Sequence, residues 1–116
     1  MVKIKRAYET PETSDGIRIL VDRLWPRGVT KERAHIDEWM KEIAPSNQLR
    51  IWFGHEPEKW TEFQKRYRKE LHESAQGSFI KKLRALARKG TVTLVYGAKD
   101  EEHNNAQVIR GVLDKS

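Results

Sequence analysis

The chain has 116 residues, a formal net charge of +6 and no cysteine. That length gives one domain, and the missing thiols exclude disulfides, thiolate catalysis and thiolate metal sites. Hydrophobic residues make up 37% and charged residues 34%, and the apolar ones are patterned, so a single modest core is expected rather than disorder.

Val2 to Tyr8 is rich in β-branched and aromatic residues and reads as a first strand. Glu9 to Gly16 holds Pro11, Ser14, Asp15 and Gly16 and reads as a turn or short loop. Ile17 to Asp22 is the second strand, and its near-continuous apolarity implies burial on both faces. Trp25-Pro26-Arg27-Gly28 then breaks regular structure. Thr30 suits the cap of a short turn, and a firmer helix is expected from near Asp37, as N-cap, to about Ile43, ended by Ala44-Pro45. Ser46 caps a second short helix, Asn47 to Phe53, closed by Gly54.

Pro57 suits a helix first turn, and Trp60, Phe63, Tyr67 and Leu71 follow as one stripe of a long amphipathic helix. Ser74 to Gly77 reads as a break and Ser78 to Lys89 as the next helix, with Phe79, Ile80, Leu83, Leu86 and Ala87 inward. Thr91 to Tyr96 is the third strand. Asp100 is expected to cap the last helix, whose apolar face is Ala106, Val108, Ile109, Val112 and Leu113. Helical crossovers between strands point to a single α/β domain over residues 1–116, with a short mixed or partly parallel sheet covered by helices. No apolar stretch has the length of a membrane span and no secretory leader is recognisable, so a cytoplasmic protein without a membrane partner is expected.

Three clusters carry candidate chemistry. Asp22, Arg23, Trp25 and Arg27 follow the second strand, at the end of the sheet where α/β proteins hold ligands. Arginine suits planar recognition of carboxylate and phosphate, so the cluster reads either as an anion clamp or as an internal salt-bridge knot. In the clamp version Arg23 and Arg27 grip the anion and Asp22 orients them. Arg27, on a turn before Gly28, is the more exposed of the two, while Arg23 is expected to be tied to Asp22 or to the acids at Asp100–Glu102.

Tyr96, Asp100, His103 and Asn104 form the second cluster, read as an acid/base wall with Asp100 and His103 as candidate catalytic residues, or as a reinforced helix cap. The third is Ser46, Arg50 and His55, where Arg50 either shares an anion or is simply solvated. Trp39, Trp52, Phe53, Trp60, Phe63 and Tyr67 fall at helical spacings and read as core rather than as a base-stacking platform. Gly-x-Gly-x-x-Gly, Walker and Gly-x-Ser-x-Gly motifs are absent, and the four histidines stand in no paired metal spacing. No cofactor and no metal are therefore expected.

The string Leu20-Val21-Asp22-Arg23-Leu24-Trp25-Pro26-Arg27-Gly28 resembles the YeaO-like branch of the domain-of-unknown-function 488 family. The resemblance continues through Ile43-Ala44-Pro45-Ser46, Leu49-Arg50, Phe53-Gly54-His55 and Phe63 to Tyr67, and resumes from Tyr96 to Ala106. It implies a compact bacterial or archaeal α/β protein without an agreed activity. Other branches of the family carry a Cys-His pair in the segment matching Glu102–Asn105; this chain has His103-Asn104 there, so thiol chemistry does not carry over. A methyltransferase label borne by some relatives does not carry over either, because the chain lacks a glycine-rich cofactor loop and the length of two domains.

Three functions follow as expectations. The first is an arginine-rich crevice for a phosphate- or carboxylate-bearing small molecule, a nucleotide included; were it an enzyme, metal-independent hydrolysis or lyase chemistry would fit. The second is a weak, salt-sensitive nucleic-acid accessory using residues 57–90, which hold ten Lys or Arg against four Glu while the rest of the chain balances. The third is an interaction module without a small ligand. Reaction, ligand and oligomeric state are not legible.

Overall fold

The computed structural model describes residues 1–115. Four strands form one sheet: β1 (Val2–Arg6), β2 (Ile17–Leu20), β3 (Glu38–Trp39) and β4 (Val92–Tyr96). Their spatial order is β1-β4-β2-β3 and every pairing is parallel. Val92 at the start of β4 sits between Val2 of β1 and Ile17 of β2.

The helices are α1 (Lys31–Ala34), α2 (Asn47–Phe53), α3 (Trp60–His72), α4 (Ser74–Lys89) and α5 (Asn105–Asp114). Short 3-10 turns stand at Thr13–Asp15, Lys41–Ile43 and Pro57–Lys59.

Alternation along the strands sorts the two faces of the sheet. Ile19, Val21, Val92, Leu94 and Tyr96 join a large core with Phe63, Tyr67 and Leu71 of α3, Ile80 and Leu83 of α4, and Ile109 and Val112 of α5. The opposite face is smaller: Leu20, Val95 and Ala7 pack under Trp25, Val29 and Ile36. Burial on both faces is what the apolarity of β2 implied. The inward stripes expected for α3, α4 and α5 are also those observed, with Trp60, Phe79, Leu86, Ala87 and Leu113 only partly buried. Trp39 departs from the core expectation and is 39% exposed.

Arg18, in the middle of β2, points to the smaller face and is 3% exposed. Its Nη1 donates to Asp15 Oδ2 at 2.6 Å and its Nε to the carbonyl of Ala34 at 3.0 Å. Lys5 Nζ approaches the other oxygen of Asp15 at 2.9 Å, and Thr93 Oγ1 donates to the Asp15 carbonyl at 2.7 Å. Burial pushes the Asp15 carboxyl up, but the Glu12 N–H, Lys5 and Arg18 together outweigh it and hold the pKa at about 2.

Three local expectations are corrected. No helix starts at Asp37: Glu38–Trp39 is an edge strand on β2 (Ile19↔Glu38, Leu20↔Trp39), and the Asp37 carboxylate accepts the Arg18 N–H at 2.8 Å. Residues 74–77 are not a break: α4 begins at Ser74, and the single extended residue Glu73 (ψ 153) separates it from α3. The last helix is capped by Asn104, whose Oδ1 accepts the Gln107 N–H at 3.1 Å, and not by Asp100. Ser46 does cap α2, accepting the Leu49 N–H at 3.2 Å, and Gly54 closes that helix at φ 53.

Candidate functional site

β2 and β4 run side by side in the same direction, so the residues after them emerge at one rim. Asp22 Oδ2 accepts the Gly97 N–H at 2.7 Å and ties the two strand ends together. Beside this tie lies a cleft of about 260 Å³. Asp22, Arg23, Arg50, His55, His103 and Asn104 supply its polar lining, together with Asn105. Its walls are otherwise apolar, from Leu24, Ala44, Pro45, Phe53, Phe63 and Ala98. The clusters after β2 and after β4 therefore face one space, and the α2 cluster contributes Arg50 and His55 to it.

Each polar group is placed by its element. Arg23 Nη2 donates to the carbonyls of Ala44 and Pro45, at 3.5 and 3.3 Å, across the loop that ends in the α2 cap. It is not tied to Asp22 or to the acids at Asp100–Glu102, as the sequence led one to expect. Among the described residues neither Arg23 nor Arg50 forms an ion pair. Arg50 stands in the last turn of α2 and is exposed. Gly54 and His55 are successive left-handed residues, φ 53 and 57, which turn the chain out of α2 and bring the imidazole to the cleft. A histidine at positive φ is uncommon and carries some strain.

The loop between β4 and α5 presents His103. Asp100 Oδ1 accepts the N–H groups of Glu102 and His103 at 2.9 and 3.0 Å, and Asp100 Oδ2 meets His103 Nδ1 at 2.9 Å. The His103 bonds hold the Asp100 carboxyl below its ordinary range. A neutral imidazole that donates through Nδ1 keeps Nε2 as an acceptor. The Trp60 indole packs edge-on against the ring, 5.2 Å between centroids, and limits its rotation. Asp100 thus stands behind His103 rather than in the cleft.

Asn104 is buried and fully used as the cap, its Nδ2 donating to the carbonyls of Asp100 and Glu101. Asn105 Nδ2 donates to the Val21 carbonyl at 2.9 Å beside Asp22. Burial pushes the Asp22 carboxyl above its ordinary value, against the pull of the Gly97 N–H, Asn105 and the His55 imidazole.

Besides Asp100, four residues proposed for the site lie elsewhere. Trp25 donates its indole N–H to the Val29 carbonyl at 2.6 Å and packs on the smaller sheet face. Arg27 is exposed, and its carbonyl accepts the Tyr8 Oη–H at 2.9 Å; among the described residues its guanidinium forms no ion pair. Ser46 spends its hydroxyl and N–H on Glu70, at 2.6 and 2.9 Å. Tyr96 is buried in the large core, and burial followed by the charges of Glu101 and Glu9 raises its pKa.

The cleft also uses residues that sequence reasoning left out of the site: Asn105, next to the cap, and the aromatic wall of Phe53 and Phe63, stacked at 4.3 Å. The helical spacing of the two rings marked them as core, and they are core on one side and wall on the other.

Among the described residues no group of three His, Asp or Glu is gathered as a metal site, and no helix is long and apolar enough to cross a membrane.

The chain is similar to the uncharacterised protein YeaO of Escherichia coli K12, 44% identical over 108 residues that cover 93% of this chain and 92% of YeaO. It is 39% identical to an uncharacterised protein of Mycobacterium tuberculosis H37Rv over 113 residues, 97% of this chain and 93% of that one. No solved structure matches it. A family described as the inactive DUF488-N3 subclade matches residues 1–116. Matched along its whole length and at this level of identity, the chain belongs to the DUF488 family, in the subclade described as inactive DUF488-N3.

Proposed function

We propose that this protein binds a small phosphate- or carboxylate-bearing molecule in the cleft between the ends of β2 and β4. The observation that carries the reading is that Arg23 and Arg50 both line the cleft and, among the described residues, pair with no carboxylate. An arginine left without a counter-ion in a concave, partly apolar space is a ready anion site. His55 and the Nε2 of His103 add hydrogen-bonding capacity, and Phe53, Phe63 and Pro45 supply apolar contact. A volume of 260 Å³ is below the roughly 300–1,000 Å³ of drug-sized sites. It suits a metabolite or one end of a nucleotide rather than a dinucleotide.

Binding without turnover agrees with the description of the subclade as inactive. Acid–base turnover is the second reading, and the 2.9 Å contact of Asp100 with His103 is the feature that favours it. Under that reading His103→Gln removes product formation and leaves binding in place.

Nucleic-acid binding by residues 57–90 has less support. Lys59, Arg66 and Lys82 are ion-paired, Arg68 donates to Gln64, and Arg84 donates to the carbonyls of Val112 and Lys115. Lys59 and Arg66 also cover the Trp52 ring, at 5.1 and 4.1 Å. Much of the basic surplus is therefore spent within the fold.

A thermal-shift screen of phosphorylated and carboxylated metabolites, nucleotides and short oligonucleotides tests the proposal, because a ligand of the native state raises the melting temperature. A hit that Arg50→Ala abolishes is expected. No stabilising anion, or a hit indifferent to both Arg50→Ala and Arg23→Ala, overturns it. A response confined to oligonucleotides at low salt supports the nucleic-acid reading instead.

A further inference from the structure

The cleft holds a negative pole as well as a positive one, and the two do not neutralise each other. A carboxylate that shares a cleft with two arginines would ordinarily pair with one of them. Asp22 pairs with neither. One of its oxygens accepts the Gly97 N–H at 2.7 Å, at the seam between β2 and β4, and Asn105 and the His55 imidazole also act on the carboxyl. Arg23 is held off by the carbonyls of Ala44 and Pro45, and Arg50 is carried on α2.

A Cβ on Gly97 would lie 3.3 Å from Asp22 Oδ2, so the carboxylate packs tightly against the strand end. His103, with Nδ1 in contact with Asp100, also lines the cleft. A simple anion would satisfy the arginines and meet repulsion from Asp22. A ligand with a hydrogen-bond donor at its far end would satisfy both poles.

We infer that the cleft takes a bipolar ligand, with an ammonium or N–H donor set against Asp22 and an anionic group set against Arg23 and Arg50. The inference rests on the anion-binding reading above and specifies its ligand class. The cleft, at about 260 Å³, is smaller than the roughly 300–1,000 Å³ of drug-sized sites. This fits a short amino-phosphate or amino-carboxylate.

Two probe pairs test the inference by titration calorimetry on the intact chain: phosphoethanolamine with ethyl phosphate, and β-alanine with propionate. Each pair differs by the amine. In at least one pair the amine-bearing member is expected to bind about tenfold tighter, the worth of one hydrogen bond to a charged acceptor. In Asp22→Asn the ratio is expected to fall to about one, with the amine-free member bound at least as tightly as by the unaltered chain.

Equal affinity within every binding pair overturns this inference and leaves the anion-binding reading standing. So does a ratio that persists in a folded Asp22→Asn. No binding of any probe overturns the inference, and the screen described above then decides the anion-binding reading separately. Should Asp22→Asn not fold, the intact chain still decides: a nuclear Overhauser contact is expected between the methylene beside the bound amine and the Asp22 Hβ protons, and its absence overturns the inference.

Discussion

Replacing Asp15 by Asn keeps the shape of the side chain and removes its charge. The carboxylate is fully covered, with Arg18 Nη1 at 2.6 Å and Lys5 Nζ at 2.9 Å. Arg18 is itself buried, so the substitution strands a guanidinium that β2 cannot turn to water. Removing one partner of a buried pair typically costs 3–5 kcal/mol. Lys5 lies near the molecular edge with 14% of its side chain exposed, where solvent screens the pair. The expected loss at neutral pH is therefore at the lower end, about 3 kcal/mol.

Part of that loss depends on pH, and its sign is fixed. The Asp15 pKa is lowered from 3.8 to about 2, so its contribution is complete above the unfolded value and disappears as pH falls through the folded one. A drop of that size is worth about 2 kcal/mol before screening and about 1–2 kcal/mol after it. Urea unfolding followed by tryptophan fluorescence, run side by side on both chains from neutral pH to about pH 2, measures the gap directly. The gap should narrow by that amount between about pH 5 and pH 2, while the part due to packing persists. A gap under about 1 kcal/mol at neutral pH, or one that stays flat down to pH 2, would refute the reasoning.

Gly16→Ala should destabilise the fold by at least about 3 kcal/mol in the same denaturation assay, because the residue sits at φ +64 and an added Cβ would lie 2.1 Å from the Thr91 carbonyl oxygen. Tyr67→Phe removes the hydroxyl that donates to the buried Ile43 carbonyl, and a loss of about 1–3 kcal/mol is expected with no change in the fold by circular dichroism. Arg27→Ala should leave stability within about 0.5 kcal/mol and leave any ligand-induced thermal shift intact, since its side chain is exposed and away from the cleft. The opposite behaviour of Arg27→Ala would move the site out of the cleft.

The rim was legible because Asp22 and Gly97 each follow a largely apolar strand run, and parallel strands deliver their next residues to the same end. The choice of arginine was not legible. Alternation along a strand says which side a residue faces, but Arg23 and Arg27 lie beyond the strand in a loop, where tertiary contacts decide direction. The edge strand Glu38–Trp39 is too short to show a period of two, and the contacts that recruit it are tertiary: backbone pairing with β2 and the Trp39 indole N–H, which donates to the Asp22 carbonyl at 2.7 Å. Asp100 carries the chemistry of a helix cap and does cap two N–H groups, but those of a turn just ahead of α5. One signal was present and unused: Arg18 within a run read as buried on both faces requires a buried counter-ion nearby, and Asp15 is the nearest candidate in the preceding loop.

The placement of β4 between β1 and β2 has a consequence for the order of events on the ribosome. Val2 and Ile17 cannot share a sheet until Val92 has been made, because neither strand pairs with the other directly. Until β4 is made, the edges of β1 and β2 that face it stay open. Such a topology makes folding slow for its size, since the decisive contacts join strands far apart in the chain. Ribosome stalling or premature termination before residue 92 would release a product with exposed edges, open to aggregation and to capture by chaperones.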